Sequence, residues 1–351
     1  MSNREPVVLQ IGTVRHQGWT EAVVRRSLDQ IADSFELTLT ERWSESGPVR
    51  PVEPGAACTV SVGRELVLTG YVDEVLPDYD SRSHTISATG RSRAADLIDC
   101  SREDTRITNQ ALKKIASRLA APYGIDVIDE AGADKPLREF TIEDGQTIAE
   151  ALERAAQIRG VRIVSDARGR LVICNAVRRR VGTTLELGKN ILRGSGRFSD
   201  RDRFSEYIVE GQTSGTDTWF GEQAATPKAT ARDPRVRSPR RILIVSDVEA
   251  DSADCKARAE FESRMRWAQG RGITYTVAGW KNDSGVWRPG DLAVVRDAYL
   301  GLDEELLVSD VQLSDDESGR IAELRVVPPA AFEQAPVPEP EQEQETQGWG
   351  W

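Results

Sequence analysis

Alternating apolar and polar residues between Trp287 and Pro328 constrain the fold more than any other stretch of the sequence. A turn at Pro289-Gly290 precedes one apolar run, a second run follows, and an acidic turn at 315–319 leads to a third. Apolar alternation bounded by Gly, Pro and Asp is typical of short strands joined by hairpins. The apolar positions of the three predicted strands are Leu292, Val294 and Val295, then Leu306, Leu307, Val308, Val311 and Leu313, and then Ile321, Leu324 and Val326.

The same order of parts occurs far upstream, in residues 54–89. A Pro-Gly turn opens that stretch as well, residues 72–73 stand where residues 309–310 stand later, and Ile86 falls where Leu324 does. Two interpretations stay open at this point: two unrelated three-strand meanders, or one β-domain used twice. An internal repeat would decide the architecture of the whole chain.

Length, composition and charge exclude several classes of protein. A chain of 351 residues with 39% hydrophobic residues is long enough for two or three domains with real cores. No apolar run approaches the roughly 18 residues of a membrane span, and the N-terminus lacks the basic start and apolar stretch of a secretory signal. We therefore expect synthesis and folding in the cytoplasm. The net charge of −11 argues against general nucleic-acid binding, which needs a concentrated basic face.

Catalytic and metal-binding patterns are missing from the sequence. The two histidines, His16 and His84, lie in polar, strand-like surroundings outside any nucleophile motif, and no GxSxG, P-loop or HExxH occurs. The cysteines form no CxxC pair, so we expect buried apolar residues rather than ligands or nucleophiles. They are Cys58, Cys100, Cys174 and Cys255. The sequence therefore predicts no cofactor, no metal and no catalytic residue.

Residues 1–95 are predicted to form a first β-rich domain with one short helix. The segment 35–40 alternates cleanly between apolar and polar residues, as a half-buried strand does. Ser27, with Gln30 three positions later, has the form of a capping box. This pattern predicts a short helix through residues 31–32.

Residues 96–182 change to a helical period and predict a smaller α+β domain inserted after the first. Thr108 is the expected cap of one helix, and Thr147 with Glu150 forms the expected capping box of a second. A hairpin is expected around Gly169. The apolar face of the first helix comprises Ala111, Leu112, Ile115, Ala116 and Leu119.

Residues 183–328 return to strands and predict a second β-rich domain with a helix that begins at Asp251 or Ser252. The helical stripe expected to face the core is Ala253, Ala257, Phe261 and Met265. The polar stretch 213–239 and the two residues after it are rich in arginine. We interpret this stretch as a mobile, solvated loop, with contact to phosphate as the alternative. Its basic residues are Lys228, Arg232, Arg235, Arg237, Arg240 and Arg241.

Residues 329–351 are acidic, rich in proline and poor in aliphatic side chains, which predicts a disordered tail. The tail nevertheless ends with Trp349 and Trp351. Aromatic side chains supply much of the binding energy at protein interfaces. We therefore expect these two tryptophans to dock on a partner.

Five segments, in this order along the chain, carry a resemblance to a known family. They are GWTEAVVRRSLDQIADSFELTLTERW, LVLTGYVDEVLPDYDSRSHTISATGRSRAADLIDCS, RFSEYIVEGQ, DCKARAEFESRMRWAQGRGITYTVAGW and WRPGDLAVVRDAYLGLDEELLVSDVQ. Together they resemble the baseplate hub proteins of Mu-like contractile-tailed bacteriophages, over roughly residues 5–332. The acidic tail is not part of that pattern.

The resemblance implies an α+β, β-rich fold with two similar β-barrel-like tube domains and a smaller inserted α+β domain. It also implies a homotrimer, in which three chains with two similar domains each form a pseudo-sixfold ring. The implied partners are the tail tube protein or a tube initiator on one face, the central spike protein on the other, and other baseplate proteins. DNA would pass through the channel without specific binding, because an acidic lumen repels it. The implied location is the tail baseplate of the virion.

Two alternatives remain open from the sequence. Glu139, Glu143 and Asp144 are candidate carboxylates of a cell-wall hydrolase, since glycoside hydrolysis needs two carboxylates at a set separation and one of them in an apolar pocket. They lie in a polar loop before a helix cap, where solvated or capping roles are expected. The other alternative is the equivalent hub of a contractile injection system. The favoured interpretation is a structural protein without enzyme activity.

Overall fold

The computed structural model describes residues 5–41, 52–80, 84–102, 105–212, 227–249 and 252–333. The predicted docking residues Trp349 and Trp351 lie outside these ranges. In the described part of the chain, no helix is long and apolar enough to cross a membrane. The fold is β-rich with α+β character, as predicted.

The first part of the chain is a series of antiparallel strands. They are β1 (Val7–Ile11), β2 (Val14–His16), β3 (Glu21–Ser27), β4 (Ser34–Glu41), β5 (Ala57–Val62), β6 (Glu65–Tyr79) and β7 (His84–Ser92). In the sheet they follow the order β3-β4-β7-β6-β5-β1-β2. One face of each strand packs into the core, where Phe35, Leu37 and Leu68 are buried.

The short helix expected at residues 31–32 does not form. The segment between β3 and β4 consists of bends, and Ile31 and Ala32 pack against the core of the inserted domain. Ser27 Oγ accepts a 3.0 Å hydrogen bond from the Asp29 amide, but it also bonds to Asp310 in a distant strand. The capping prediction was wrong because Ser27 ends a strand that has a partner far along the chain.

The middle of the chain forms the predicted small α+β domain. Its elements are α1 (Ala95–Asp99), β8 (Thr105–Ala111), α2 (Leu112–Ala120), a 3-10 turn (Ala121–Tyr123), β9 (Val127–Asp129), β10 (Pro136–Ile142), α3 (Ile148–Arg159), β11 (Arg162–Ser165) and β12 (Leu171–Cys174). Strand β10 pairs with β8, and β11, β12 and β9 form a second small sheet. Leu112, Ile115 and Leu152 are buried between these helices and sheets.

One of the two predicted helix caps is confirmed. Thr147 Oγ1 accepts a 3.2 Å bond from the Glu150 amide, and the Glu150 carboxylate accepts a 2.9 Å bond from the Thr147 amide. Thr108, by contrast, lies inside β8, opposite Glu139 of β10. The helix therefore begins later, at Leu112, because residues before it alternate in register with a strand.

The last part of the chain returns to strands. Its elements are β13 (Arg179–Arg180), β14 (Leu185–Glu186), β15 (Ile191–Phe198), β16 (Glu206–Gln212), β17 (Lys228–Arg232), β18 (Arg241–Glu249), α4 (Ser252–Gln269), β19 (Arg271–Ala278), β20 (Lys281–Asn282), β21 (Gly285–Val286), β22 (Asp291–Asp297), β23 (Leu302–Asp316), β24 (Gly319–Val327) and a 3-10 turn (Pro329–Phe332). The main sheet continues as β15-β19-β24-β23, with β22 also on β23. The three strands predicted between Trp287 and Pro328 are thus confirmed.

Helix α4 buries a different face from the predicted one. Ala253 and Ala257 are exposed, whereas Cys255 and Ala259 pack against the small sheet β17-β16-β18. Glu262 is also buried. Arg258 and Arg266, one turn before and after Glu262, bond to its carboxylate at 2.8 Å and 3.0 Å. A charged residue thus belongs to the inward face, which a search for apolar stripes passes over.

The described part of the basic stretch, residues 227–241, holds strand β17 and the first residue of β18, and turns and bends join the two strands. Lys228 on β17 forms an ion pair with Glu210 at 2.6 Å. Glu206 forms ion pairs with Arg241 at 2.6 Å and with Arg232 at 3.6 Å. Arg232 and Arg241 therefore face a carboxylate of the same small sheet. Residues 213–226 of the stretch lie outside the described ranges.

Residues 329–333, which the sequence assigned to a disordered tail, are folded. Pro329–Phe332 form a 3-10 turn, Phe332 is buried, and the Arg162 guanidinium lies 4.5 Å from the centre of its ring. Glu333 pairs with Arg264 of α4 at 2.7 Å. This short apolar segment packs between the inserted domain and α4, which the composition of the whole tail concealed.

Candidate assembly interface

One arrangement of five strands occurs twice in the chain. Repeat 1 is β3-β4-β7-β6-β5, and repeat 2 is β15-β19-β24-β23-β22, with every neighbouring pair antiparallel. The longest strands, β6 and β23, have 15 residues each, and β7 and β24 have 9 each. The upstream similarity is therefore a genuine structural repeat, and the two similar β-domains are confirmed.

A β-bulge at the same place fixes which residues are equivalent. In repeat 1 the pairing of β6 with β7 shifts between Val72 and Glu74, so that Asp73 is the extra residue. In repeat 2 the pairing of β23 with β24 shifts between Val308 and Asp310. Bulges interrupt a ladder at one defined residue and are retained as features of a sheet. Asp73 is therefore equivalent to Ser309.

The pairing corrects the alignment that the sequence suggested. The sequence placed Asp73 against Asp310 and Ile86 against Leu324. In the sheets, the buried Ala88 is opposite Val75 as the buried Leu324 is opposite Val311, so Ala88 is the equivalent of Leu324. The alignment was one residue out in β6 and two residues out in β7, because the bulges and the connecting turn leave no clear signal in the residue pattern.

The two repeats join edge to edge in one sheet. Strand β3 of repeat 1 pairs antiparallel with β23 of repeat 2, from Ser27 opposite Asp310 to Ala22 opposite Asp315. Ser27 Oγ donates a 2.7 Å hydrogen bond to Asp310 Oδ1. Val24 and Leu313 are fully buried and directly opposite each other. The junction thus combines main-chain pairing, a buried apolar contact and a side-chain hydrogen bond.

A buried ion pair lies beside the junction, between Arg26 of β3 and Asp33. Arg26 Nε lies 2.8 Å from Asp33 Oδ2, and both side chains are almost fully buried. Burial raises the pKa of the Asp33 carboxyl, and the Arg26 charge opposes that rise. The Asp33 amide donates a 3.1 Å hydrogen bond to Ser92 Oγ, which lies 3.2 Å from Ser165 Oγ of the inserted domain. Truncating one partner of such a buried pair leaves an uncompensated charge.

Polar contacts also hold the inserted domain against repeat 1. Thr69 Oγ1 donates a 2.8 Å hydrogen bond to the Ala167 carbonyl, which lies in the hairpin between β11 and β12. Arg162 reaches the Leu28 carbonyl at 3.3 Å, next to the junction strand β3. These contacts tie the small domain to repeat 1 at two places, one on β6 and one beside the junction strand β3.

Two of the three carboxylates considered for hydrolysis, Glu139 and Glu143, pair with arginines. Glu139 bonds to Arg106 on the neighbouring strand at 2.9 Å. Glu143 pairs with Arg154 at 3.0 Å and is 73% exposed, and Asp144 is exposed beside it. A general acid of the glycosidase type needs an apolar pocket that favours its protonated form. Glu143 and Asp144 have no such surroundings.

Three of the four cysteines, Cys58, Cys174 and Cys255, are buried core residues. Burial raises the pKa of the Cys58 thiol to about 12 and that of the Cys174 thiol to about 11. Cys255 is buried and Cys100 is half-buried. Within the described ranges, no group of three or more His, Cys, Asp and Glu residues could hold a metal ion. The site of interest is therefore the pair of repeats and their edges.

Three family models match most of the described chain. Residues 6–92 match the N-terminal domain of the Mu phage baseplate assembly protein GpP-like family, residues 94–175 the second domain of the baseplate hub protein gp44-like family, and residues 251–335 the fourth domain of GpP. The baseplate hub protein gp44 of Escherichia phage Mu is 33% identical over 328 residues, which cover 90% of this chain and 86% of gp44. The chain belongs to the Mu-like baseplate hub family.

Solved structures share the fold of this baseplate hub protein over nearly its whole length. The 43 kDa tail protein of prophage MuSo2 from Shewanella oneidensis has a TM-score of 0.83 and 35% identity, and the match covers 94% of this chain and 100% of that one. A tail protein from Neisseria meningitidis MC58 has a TM-score of 0.79 at 23% identity, covering 95% and 99% of the two chains. The E. coli c3393 protein, a component of the type VI secretion system, has a TM-score of 0.59 at 12% identity, covering 95% and 80%.

The family resemblance read from the sequence is confirmed, but the hub's junction residues were missed. Ser27 was assigned to a helix cap, and Asp310 was matched with Asp73 without a partner being predicted for it. One signal was available in β3, where Ala22, Val23 and Val24 are apolar in succession. Consecutive apolar residues favour a strand covered on both faces, and all three are buried.

Proposed function

We propose that this baseplate hub protein assembles as a homotrimer whose six repeats form a pseudo-sixfold ring around a channel. The observation that supports the proposal is the pair of similar repeats joined edge to edge through β3 and β23. Closed rotational symmetry brings three chains together around one axis. Because each chain has two repeats, the trimer presents six similar units to one neighbour. It presents three identical chains to another.

Such a ring suits a position between the tail tube and the central spike. A sixfold tube protein, or a tube initiator, would meet the six repeats on one face. A threefold spike would meet the three chains on the opposite face, where other baseplate proteins also bind. The c3393 protein is described as similar to the T4 bacteriophage tail proteins gp27 and gp5, and its shared fold agrees with a place in a contractile tail machine.

The acidic character of the chain fits a channel for DNA. With a net charge of −11, the ring would carry three times that excess of negative charge. A negative lumen repels the phosphate backbone, so that DNA passes without sticking. The ring contributes a passage and a change of symmetry, and we propose no enzyme activity for it. Incubation with peptidoglycan should release no muropeptides; release that Glu143→Gln abolishes would contradict this.

We propose the same three domains that the sequence predicted. The first tube-like domain is residues 1–95, the inserted domain is 96–182 and the second tube-like domain is 183–328, followed by the segment that ends in Trp349 and Trp351. We propose that these two tryptophans dock on the tube, the spike or another baseplate protein. They lie outside the described residues, and their aromatic character supports the proposal.

Reconstitution with both neighbours tests the function. The hub is co-expressed with the tube protein and the spike protein of the same phage, and complexes are purified through a tag on the spike. We expect three hub chains for each spike trimer, and hub-dependent recovery of the tube protein. Recovery of tube and spike together without the hub would contradict the proposed role, as would a hub that binds neither.

A further inference from the structure

The strands equivalent to those of the junction do not pair with each other within the chain. The outer strand is β3 in repeat 1 and β15 in repeat 2. The far half of the long strand is its C-terminal part, residues 74–79 of β6 and residues 310–316 of β23. At the junction, the outer strand of repeat 1, β3, pairs with the far half of β23 in repeat 2. With the roles exchanged, the partners would be β15 and the far half of β6. In the described part of the chain, residues 193–198 of β15 pair only with β19, and residues 74–79 of β6 pair only with β7.

The two open edges are exposed, whereas most residues of their paired equivalents in β3 and β23 are buried or half-buried. Residues 192–198 of β15 and residues 76–79 of β6 are all exposed. Four large apolar side chains lie there, and each is at least half exposed: Leu76 (50%), Tyr79 (76%), Leu192 (61%) and Phe198 (50%). Unpaired strand edges with apolar residues are templates for another strand and are normally covered.

We infer that β15 of one chain pairs antiparallel with the far half of β6 in the next chain, in the register of the β3–β23 junction. This inference rests on the proposed ring and names its interface. The contact is heterologous, because two different edges meet, and repetition of such a contact closes a ring when the rotation permits. Junctions within chains and junctions between chains then alternate around the ring.

The register follows from the ladder and the bulge. Val72 and Val308 are equivalent because each is the last paired residue before its bulge. Paired positions lead across repeat 1 from Val24 to Phe35, Gly90 and Val72, and across repeat 2 from Gly196 to Ile273, Val326 and Val308. Val24 and Gly196 are therefore equivalent. Since Val24 faces Leu313, and the equivalent of Leu313 is Pro77, the inferred contact places Gly196 opposite Pro77.

The inferred pairs are complementary in size. They are Val75 with Phe198, Leu76 with Arg197, Pro77 with Gly196, Asp78 with Ser195, and Tyr79 with Gly194. Tyr79 and Pro77 thus lie opposite glycines. A Cβ at Gly194 would lie 3.1 Å from the Tyr275 ring, so a larger residue there would crowd the core. Pro77 lacks an amide hydrogen, which costs one ladder bond and is tolerated at a sheet edge.

The inferred pairs are also complementary in charge. Arg193 and Arg197 on β15 make no ion pair in the described structure, and the same holds for Glu74 and Asp78 on β6. In the inferred register, Arg197 lies opposite Leu76, with Glu74 and Asp78 as its diagonal neighbours. Long side chains reach diagonal neighbours across an antiparallel pair. The contact would therefore bring unpaired arginine and unpaired carboxylates together.

Cysteine cross-linking tests the register in a Cys100→Ser background, which removes the half-buried native thiol. Leu76→Cys with Arg197→Cys, and Asp78→Cys with Ser195→Cys, place thiols at directly opposed positions, where Cα atoms lie about 4.5–5.5 Å apart. That separation permits a disulfide. The matched control, Leu76→Cys with Arg193→Cys, is displaced by four residues, or about 13 Å along the strand. Each double variant is oxidised as the purified hub and within assembled tails, and its mass is measured in parallel.

Both opposed pairs should give covalent dimers and trimers on a non-reducing gel, and the displaced pair should give at least ten times less. A trimer by mass in which neither opposed pair cross-links, or in which the displaced pair cross-links equally, would overturn the inferred interface while leaving the ring intact. A monomer by mass, both free and in tails, would overturn the ring and the interface together. Arg197→Glu should weaken trimer formation at least tenfold relative to Arg201→Glu, which changes the charge by the same amount outside the strand.

Discussion

Ser27 Oγ donates a 2.7 Å hydrogen bond to Asp310 Oδ1 across a sequence separation of 283 residues. The two residues begin the main-chain pairing that makes one sheet of the two repeats. Their position explains why a single chain can present two similar β-domains in a fixed relation. The inferred contact between chains is the same relation with the repeats exchanged.

Removing the Ser27 hydroxyl should weaken this junction modestly. We expect Ser27→Ala to lower the free energy of unfolding by about 1 kcal/mol, the usual net contribution of a hydrogen bond. Asp310 keeps a 2.6 Å bond from Ser309, so no carboxylate is left without a donor. Urea denaturation measures the change. Ser34→Ala on β4 is the control, because that hydroxyl makes no hydrogen bond in the described structure; an equal loss there would contradict the assignment.

The small sheet beside α4 should depend on pH through Asp233. Burial opposes ionisation of this carboxyl, but hydrogen bonds from the Arg203 guanidinium and the Arg235 amide hold the pKa of Asp233 below its usual value. A lowered pKa in the folded state stabilises the fold above the unfolded pKa of about 3.9, and this stabilisation is lost as the pH falls through the folded value.

We therefore expect Asp233→Asn to destabilise the protein by about 3 kcal/mol at pH 7, since it removes one partner of a buried ion pair. The difference from the unsubstituted protein should shrink as the pH falls from 4 to 2. Urea denaturation at a series of pH values measures it. Glu260→Gln, on the exposed side of α4, is the control. A difference that stays constant down to pH 2 would show that the ionised carboxylate is not what stabilises the sheet.

The native protein should show one fast-reacting thiol. Cys100 is half-buried, whereas Cys58, Cys174 and Cys255 are buried. Because the thiolate is the reactive form, the raised pKa values of Cys58 and Cys174 slow their reaction further. Titration with a chromogenic disulfide reagent at pH 8 checks this. Cys100→Ser should abolish the fast phase and Cys58→Ser should leave it; the opposite pattern would contradict the burial of Cys58.

Truncation tests the proposed docking of the last tryptophans. Deletion of residues 336–351 should leave the melting temperature unchanged, because the packed 3-10 turn and the ion pair of Glu333 with Arg264 are retained. Incorporation of the hub into particles should fall. Trp349→Ala with Trp351→Ala should reproduce the loss, and Gln344→Ala should not. Full incorporation of the truncated chain would remove the docking proposal.

The sequence predicted elements well where the local pattern and the tertiary structure agree. Strand β24 alternates because one of its faces is buried, and α3 begins at Ile148 because Thr147 and Glu150 form a local capping box. Ser27 was misassigned because its decisive partner is 283 residues away. The stripe on α4 was misassigned because Glu262 is buried with two arginines, which an apolar pattern cannot show.

The contact inferred between chains could not be predicted from the sequence for a related reason. The repeat could be suspected from the order of turns and strands, but its register depends on the bulges at Asp73 and Ser309. A bulge adds one residue without changing the apolar character of either strand. Only the strand pairing showed that β15 is equivalent to β3 and that the far half of β6 is equivalent to the far half of β23. Strands β3 and β23 are already paired within the chain.

The mass and symmetry of the assembled hub test the central claim most directly. Native mass spectrometry should show a species of three times the chain mass of 38.8 kDa. Images of the same sample, averaged without imposed symmetry, should show six similar lobes around a channel with threefold differences between them. A chain that stays monomeric alone and with its tube and spike proteins, or a ring of six chains, would contradict the account.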